Sequence, residues 1–263
     1  MTKILDGKVA IVTGAGRGIG RGIAIEFAAE GAQVVVASRT QATVDRTVAE
    51  IEAKGGVALG IRCDVGSVSD IEGTVEATVA RFGALDIMVN NAQGFGTAKE
   101  PAPMPVLTGL ESFNDHEWDY TFATGPTATY LFMKHAFPYL KESGSGRVIN
   151  FGSHWGQMGF AGAAAYNACK EAVRGLSRTA AREWGQYGIT VNTINPAIAT
   201  DAMEAFAKHD PEAAKAALAE VPMRRFGDPI DDGGRIAVFL AGPDASFLTG
   251  ATFQVDGGMF MYP

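Results

Sequence analysis

Tyr166 and Lys170 stand at i and i+4 in the stretch AAYNACK, so a helix there sets a phenol and an ammonium on one face. An ammonium beside a phenol favours the phenolate. It draws the tyrosine pKa down towards working pH, as a general acid/base requires. Ser153 lies upstream, just past the apolar run 147–151, where its hydroxyl can hold a substrate oxygen through the same proton transfer. Ser153, Tyr166 and Lys170 form the candidate catalytic set. His154 follows Ser153 directly but is a less attractive base than Tyr166, and without partner ligands no metal role is expected for it.

A second constellation suits a phosphate. Thr13-Gly14-Ala15-Gly16-Arg17-Gly18-Ile19-Gly20 follows the first apolar run and opens a helical stretch. Such a turn joins free backbone N–H groups to the positive end of a helix, which fits a pyrophosphate. The spacing is Gly14-x-x-x-Gly18-x-Gly20 rather than GxGxxG, and tight packing alone would also use these glycines. Arg17 opposes the helix dipole where it stands, and a bound anion would explain it. The second strand ends Ala37-Ser38-Arg39, without the acidic residue that meets a ribose 2′-hydroxyl; an arginine suits a 2′-phosphate. NADP(H) is therefore the expected cofactor, with NAD(H) the alternative. Asp64-Val65 closes the third strand, where the carboxylate either reaches an adenine amino group or caps the next helix.

These residues need a scaffold, and the hydrophobic pattern supplies one. Short β-branched runs at 9–12, 34–37, 57–61, 85–89, 147–151, 189–194 and 251–255 alternate with helical stretches at 19–30, 41–54, 67–82, 115–141, 164–185 and 229–241. Strands that read as continuous apolar runs between helices are parallel and buried on both faces. The expectation is one domain over 1–263: a doubly wound, Rossmann-type α/β sheet of about seven mostly parallel strands, with helices on both faces. Two long segments, 93–114 and 197–228, break the rhythm. Both leave carboxyl ends of strands, and 197–228, with its short Ala-rich helical piece, is the expected substrate lid.

Taken together, the sequence resembles the short-chain dehydrogenase/reductase family over essentially its whole length. The matches are TGAGRGIG at 13–20, Asp64-Val65, Asn90-Asn91-Ala92, Ser153, Tyr166 with Lys170, Asn195-Pro196 and Val255-Asp256-Gly257-Gly258. The resemblance implies that Tyr166 is the general acid/base and that Ser153 orients the carbonyl or alcohol. It implies that Lys170 lowers the tyrosine pKa and binds the nicotinamide ribose. With the residue reading above, it gives a cofactor-lining set of Gly14, Arg17, Gly18, Ile19, Gly20, Ser38, Arg39, Asp64, Val65, Asn90, Ala92, Tyr166, Lys170, Pro196, Ile198 and Thr200. It also implies a homo-oligomer, tetramer or dimer, packed through 115–141 and 164–185.

Three positions depart from the family pattern. Gln93 stands where NNAG has its glycine, and Ala197 follows Pro196 in place of the usual glycine. Counting on from Glu117-Trp118-Asp119 puts Gly125 where the family's fourth catalytic residue, an asparagine that helps hold a relay water, normally sits. Pro126 follows at once, and a proline inside a helix removes a hydrogen bond to residue 122 and bends the chain. The expectation is a kink that frees the Phe122 carbonyl for that water, so that Gly125→Asn would cost no activity.

Composition narrows the rest. A net charge of -7 argues against nucleic acid or an anionic membrane as partner, leaving a small-molecule substrate. Cys63 and Cys169 lie far apart and outside any CxxC, which argues against a disulfide framework or structural zinc. No signal peptide or membrane-length apolar run is evident, so a cytoplasmic protein is expected. Phe95, His154, Trp155, Phe160, Met203 and Phe206 are candidate walls of an apolar substrate pocket, although each could equally pack beneath a loop. The apolar tail 259–263 is expected to pack on a neighbouring subunit. The reaction expected is reversible hydride transfer between NADP(H) and a carbonyl or secondary alcohol on a mainly apolar molecule. The alternatives are reduction of an activated C=C bond and a low-turnover nucleotide-binding sensor.

Overall fold

The computed structural model describes residues 3–200, 203, 207, 208 and 210–261. Each apolar run forms a strand: β1 (Val9–Thr13), β2 (Gln33–Ser38), β3 (Val57–Arg62), β4 (Ile87–Asn90), β7 (Arg147–Phe151), β8 (Thr190–Pro196) and β9 (Thr252–Val255). They form a seven-stranded sheet in the order β3-β2-β1-β4-β7-β8-β9, and every pairing in it is parallel. The remaining strands, β5 (Phe95–Gly96) and β6 (Pro101–Ala102), form a small antiparallel hairpin inside the segment that the sequence presents only as a long loop. The helices are α1 (Gly18–Ala29), α2 (Gln41–Ala53), α3 (Val68–Phe82), α4 (Asp115–Phe122), α5 (Ala128–Glu142), α6 (His154–Met158), α7 (Ala164–Trp184), α8 (Pro211–Ala219) and α9 (Arg235–Ala241).

Alternation along each strand feeds two cores. In β1, Ala10 and Val12 join Ile23 and Phe27 of α1 and Leu240 of α9 on one face. Ile11 joins Ile71 of α3 and Phe132 and Met133 of α5 on the other. Fully burying a side chain such as Phe27 or Phe132 stabilises the fold by about 1.5–3 kcal/mol. The parallel, Rossmann-like sheet expected from the sequence is thus present.

The chain runs outward from β1 to β3, then returns to place β4 on the other side of β1. This reversal opens a crevice at the carboxyl ends of β1 and β4, where open α/β sheets bind ligands. Both the Gly14–Gly20 turn and Asn90 lie at that point.

The single helix expected over 115–141 is instead two, α4 and α5, joined by a π turn over Ala123–Thr127 that contains Pro126. Pro126 has no N–H to offer Phe122, and a π turn bonds each carbonyl to the amide five residues on. The Phe122 carbonyl is therefore met by Thr127, and the expectation that it stands free for a water is corrected. Among the described residues no helix is long and apolar enough to cross a membrane.

Candidate active site

The end of β7 and the start of α7 bring the three expected catalytic residues together. Ser153 N-caps the short helix α6, its Oγ accepting the Trp155 amide at 3.2 Å. The same hydroxyl lies near enough to the Tyr166 phenol to favour its ionised form. Lys170, one turn further along α7, is buried, with its Nζ 5.6 Å from the centre of the Tyr166 ring. That Nζ donates to the Phe151 carbonyl at 3.0 Å, which compensates part of the cost of burying a charge.

The expectation of a depressed tyrosine pKa is not met here. Burial pushes the Tyr166 phenol up to about 12, and the nearby Ser153 hydroxyl offsets only part of that rise. The physical reason is that the ammonium directs its bond at Phe151 rather than at the phenol. Burial likewise lowers the pKa of Lys170. The arrangement keeps Tyr166 protonated, a state suited to giving a proton to an oxygen held at Ser153.

Aromatic rings frame the phenol. Phe95, delivered by the β5–β6 hairpin, meets Tyr166 edge-on at 5.7 Å, and Trp155 does so from α6 at 5.9 Å. Phe160 stacks on Trp155 at 4.2 Å and remains partly exposed. His154 is buried and stacks at 4.1 Å on Phe260, while Met261 beside it is exposed. Burial lowers the His154 pKa to about 4, leaving a neutral imidazole at working pH. Met203 donates its amide to Thr200 Oγ1 at 3.3 Å, and Phe206 lies outside the described residues.

The cofactor-binding residues expected from the sequence divide into two groups. Gly14 and Gly18 take positive φ, at 67° and 53°. Arg17, Ser38 and Arg39 lie at the ends of α1 and β2, with Arg17 and Arg39 exposed and Arg39 donating to the Tyr120 hydroxyl at 2.8 Å. Thr200 faces Gly18, its methyl 3.7 Å from where a Cβ on that glycine would lie. Ala92 donates its amide to Thr13 Oγ1 at 3.1 Å, pinning the turn after β4 to the end of β1.

The second group makes contacts within the sheet and its cores. Ile19 and Val65 pack against the two cores, and Ile198 is buried against Gly227 and Gly233. Asn90 turns its amide into the sheet, donating to Asn150 Oδ1 at 2.8 Å, and Asn150 in turn donates to Ser177 at 2.8 Å. Pro196 closes β8. Asp64 accepts the Gly66 amide at 2.9 Å, whereas the N-cap of α3 is Ser67, which decides between its two sequence readings against the cap.

The first turn of α1 tests whether a dinucleotide fits. α3 and α4 are capped by the side chains of Ser67 and Asn114, but α1 begins at Arg17 with no side-chain cap and no acidic residue in its first turn. Its leading amides are available to an anion, and the Gly turn keeps side chains away from them. The residues present therefore fit a pyrophosphate.

Comparison with known proteins shows the family. The family model described as enoyl-(acyl carrier protein) reductase matches residues 14–260. The chain is 40% identical to the 12α-hydroxysteroid dehydrogenase of a Clostridium species over 267 residues, covering 99% of each protein. The chain belongs to the short-chain dehydrogenase/reductase family. It is an NAD(P)-dependent oxidoreductase of the carbonyl–alcohol kind. The 3-oxoacyl-[acyl-carrier-protein] reductase of Synechocystis is a further relative, 35% identical over 98% of this chain and 99% of that protein. Among solved structures, 7α-hydroxysteroid dehydrogenase complexed with NADH and 7-oxoglycochenodeoxycholic acid superposes with a TM-score of 0.89 at 32% identity, covering 98% of this chain and 96% of the other.

Sequence reasoning did not reach one residue that the structure places at this site. Gln93 reaches over to the π turn and to Cys169, the neighbour of Lys170. Its signal was present as two unusual residues, Gln93 and Gly125, but nothing in the sequence says that they touch. They do: a Cβ at Gly125 would lie 2.3 Å from Cys169 Sγ and 2.8 Å from Gln93 Oε1, so an asparagine there requires these side chains to shift.

Proposed function

We propose that this enzyme uses NADP(H) to interconvert a ketone and a secondary alcohol on flat, mainly apolar molecules of the hydroxysteroid class. The observation that carries the reading is the Tyr166 phenol, set beside Ser153 and flanked by the rings of Phe95 and Trp155. Rings at 66° and 88° to the phenol would wall an apolar slot beside this polar pair, which suits a rigid hydrocarbon carrying one oxygen. The likeness to 12α-hydroxysteroid dehydrogenase, across 99% of both chains, supports the steroid class.

In reduction, Ser153 holds the carbonyl oxygen and Tyr166 gives it the phenolic proton. In oxidation, the tyrosine must first lose that proton, and Lys170 is the cation near enough to stabilise the phenolate once it turns from Phe151. The nicotinamide supplies or accepts the hydride when bound. The Gly14–Gly20 turn with α1 would hold its pyrophosphate, Ser38 and Arg39 with Arg17 its 2′-phosphate, and Lys170 its ribose. His154 is a poor proton acceptor, since burial lowers its pKa to about 4. Residues 197–228, with Met203, act as a lid that excludes water, and the enzyme works as a cytoplasmic homo-oligomer packed through α4, α5 and α7.

An absorbance screen at the reduced-nicotinamide band tests this, with both cofactors and with steroids, cyclic ketones, acyl thioesters and aromatic alcohols. The expected result is turnover of oxo- or hydroxysteroids, with NADP(H) favoured over NAD(H). NADPH binding with no oxidation across the panel would sink the reading and leave a nucleotide sensor. The description of the matched family model favours a second reading, reduction of an activated C=C bond. Product analysis after incubation with an enone separates the two.

A further inference from the structure

Gln93 and Gly125 both depart from the family pattern, and the structure joins the two departures into one feature. The Gln93 amide nitrogen lies 3.0 Å from the Gly94 carbonyl, 3.1 Å from the Thr121 carbonyl and 3.3 Å from Thr124 Oγ1. Its amide oxygen accepts from Cys169 Sγ at 3.2 Å. One side chain thus ties the turn after β4 to the last turn of α4, to the π turn, and to the residue that precedes Lys170 on α7. Thr124 Oγ1 adds to the knot by accepting the Gly94 amide at 3.1 Å and donating to the Tyr120 carbonyl at 2.8 Å. The space that Gln93 and Cys169 fill is the space a side chain at 125 would need.

We propose that Gln93 is a positioning residue for the acid/base pair, supplying from the β4 turn the amide that position 125 lacks. The inference rests on the reading in which Tyr166 and Lys170 carry the proton transfer. Pro126 replaces the regular backbone bond at the junction of α4 and α5 with the wider π turn, whose shape an outside group can fix. Gln93 does so and passes the constraint to Cys169. That thiol stays protonated, because burial raises its pKa to about 11, and so it remains a donor to the amide oxygen. The next residue along the helix is Lys170. Misplacing a reacting group by about 1 Å can cost about a hundredfold in rate, so a loosened knot is read in catalysis.

The test is a cycle of Gln93→Gly, Gly125→Asn and the double variant, with Gln93→Leu as a control of similar bulk and no hydrogen bonds. Each protein is assayed for kcat and KM with NADPH and a ketone that the wild type reduces, for NADPH affinity by fluorescence, and for melting temperature. Gln93→Gly and Gln93→Leu should lower kcat by roughly tenfold or more, with KM and NADPH affinity held within about threefold. Gly125→Asn should lose both melting temperature and kcat, because the new side chain meets Cys169 and Gln93. In the double variant the asparagine amide should fill the vacated space and restore kcat to within about threefold of wild type. Gln93→Leu with wild-type kcat, or a double variant no better than the two single losses combined, would overturn the proposal. If the wild type reduces no ketone, the reading of the reaction fails instead, and the melting temperatures then decide: additive losses refute the shared space, and recovery in the double variant supports it.

Discussion

Replacing His154 by phenylalanine isolates one buried titration. Burial lowers the imidazole pKa from 6.5 to about 4, with the nearby Asp256 carboxylate pulling weakly the other way. In the unfolded chain the ring takes up a proton near pH 6.5, and in the folded chain only near 4. Within that window the unfolded state binds more protons. The neutral buried ring therefore contributes its full stability above about pH 6.5 and loses it as the pH falls towards 4. At 1.36 kcal/mol per pKa unit, the shift from 6.5 to about 4 is worth about 3 kcal/mol. Phenylalanine keeps a ring to stack on Phe260, which lies 4.1 Å away, and cannot titrate. Urea unfolding followed by tryptophan fluorescence, at fixed protein concentration and at several pH values from 7.5 to 4.5, measures the difference. On acidification the wild type should lose about 2–3 kcal/mol more than His154→Phe. A wild-type-minus-variant difference that stays constant across this range would refute the reasoning, since the imidazole would then titrate alike in both states.

Three further outcomes follow from the geometry. Arg39→Asp should cut the NADPH/NADH ratio of kcat/KM by about tenfold or more, since a charge-assisted hydrogen bond contributes roughly 1.5–3 kcal/mol; an unchanged ratio would remove Arg39 from cofactor choice. Gly20→Ala places a Cβ 2.5 Å from the Gly14 carbonyl oxygen, and such overpacking costs about 1–3 kcal/mol, so melting temperature and NADPH affinity should fall together. Trp155→Ala removes one wall of the slot beside Tyr166 and should raise KM for an apolar ketone by about tenfold, with NADPH affinity unchanged in a fluorescence titration.

The sheet was legible because parallel strands buried on both faces must be apolar throughout, and the runs at Val9–Val12 and Val34–Ala37 are. The grouping of the candidate catalytic residues was legible for a different reason: Tyr166 and Lys170 share a helix face by spacing alone, and Ser153 follows the strand beside it. Long-range contacts were not. Nothing near Asn90 in the sequence says that its amide faces Asn150, and nothing near His154 announces Phe260 above it. The pKa of Tyr166 also escaped the sequence, because motif spacing gives the neighbour but not the direction of its hydrogen bond. Lys170 chose a backbone carbonyl, and burial then decided the sign. The break at Pro126 was foreseen, but its form was not, since a proline can bend a helix or widen a turn, and the surrounding packing selects.

The claim that Tyr166 moves the proton is tested most directly by Tyr166→Phe, which keeps the ring between Phe95 and Trp155 and deletes only the hydroxyl. Reduced-nicotinamide absorbance, followed with NADPH and an oxosteroid, gives the rate, and a fluorescence titration gives NADPH affinity. The variant should bind NADPH within about twofold of wild type while losing about 10²–10⁴ in kcat, the usual contribution of a positioned general acid. A variant that binds NADPH and still reduces the ketone at near the wild-type rate would contradict the account.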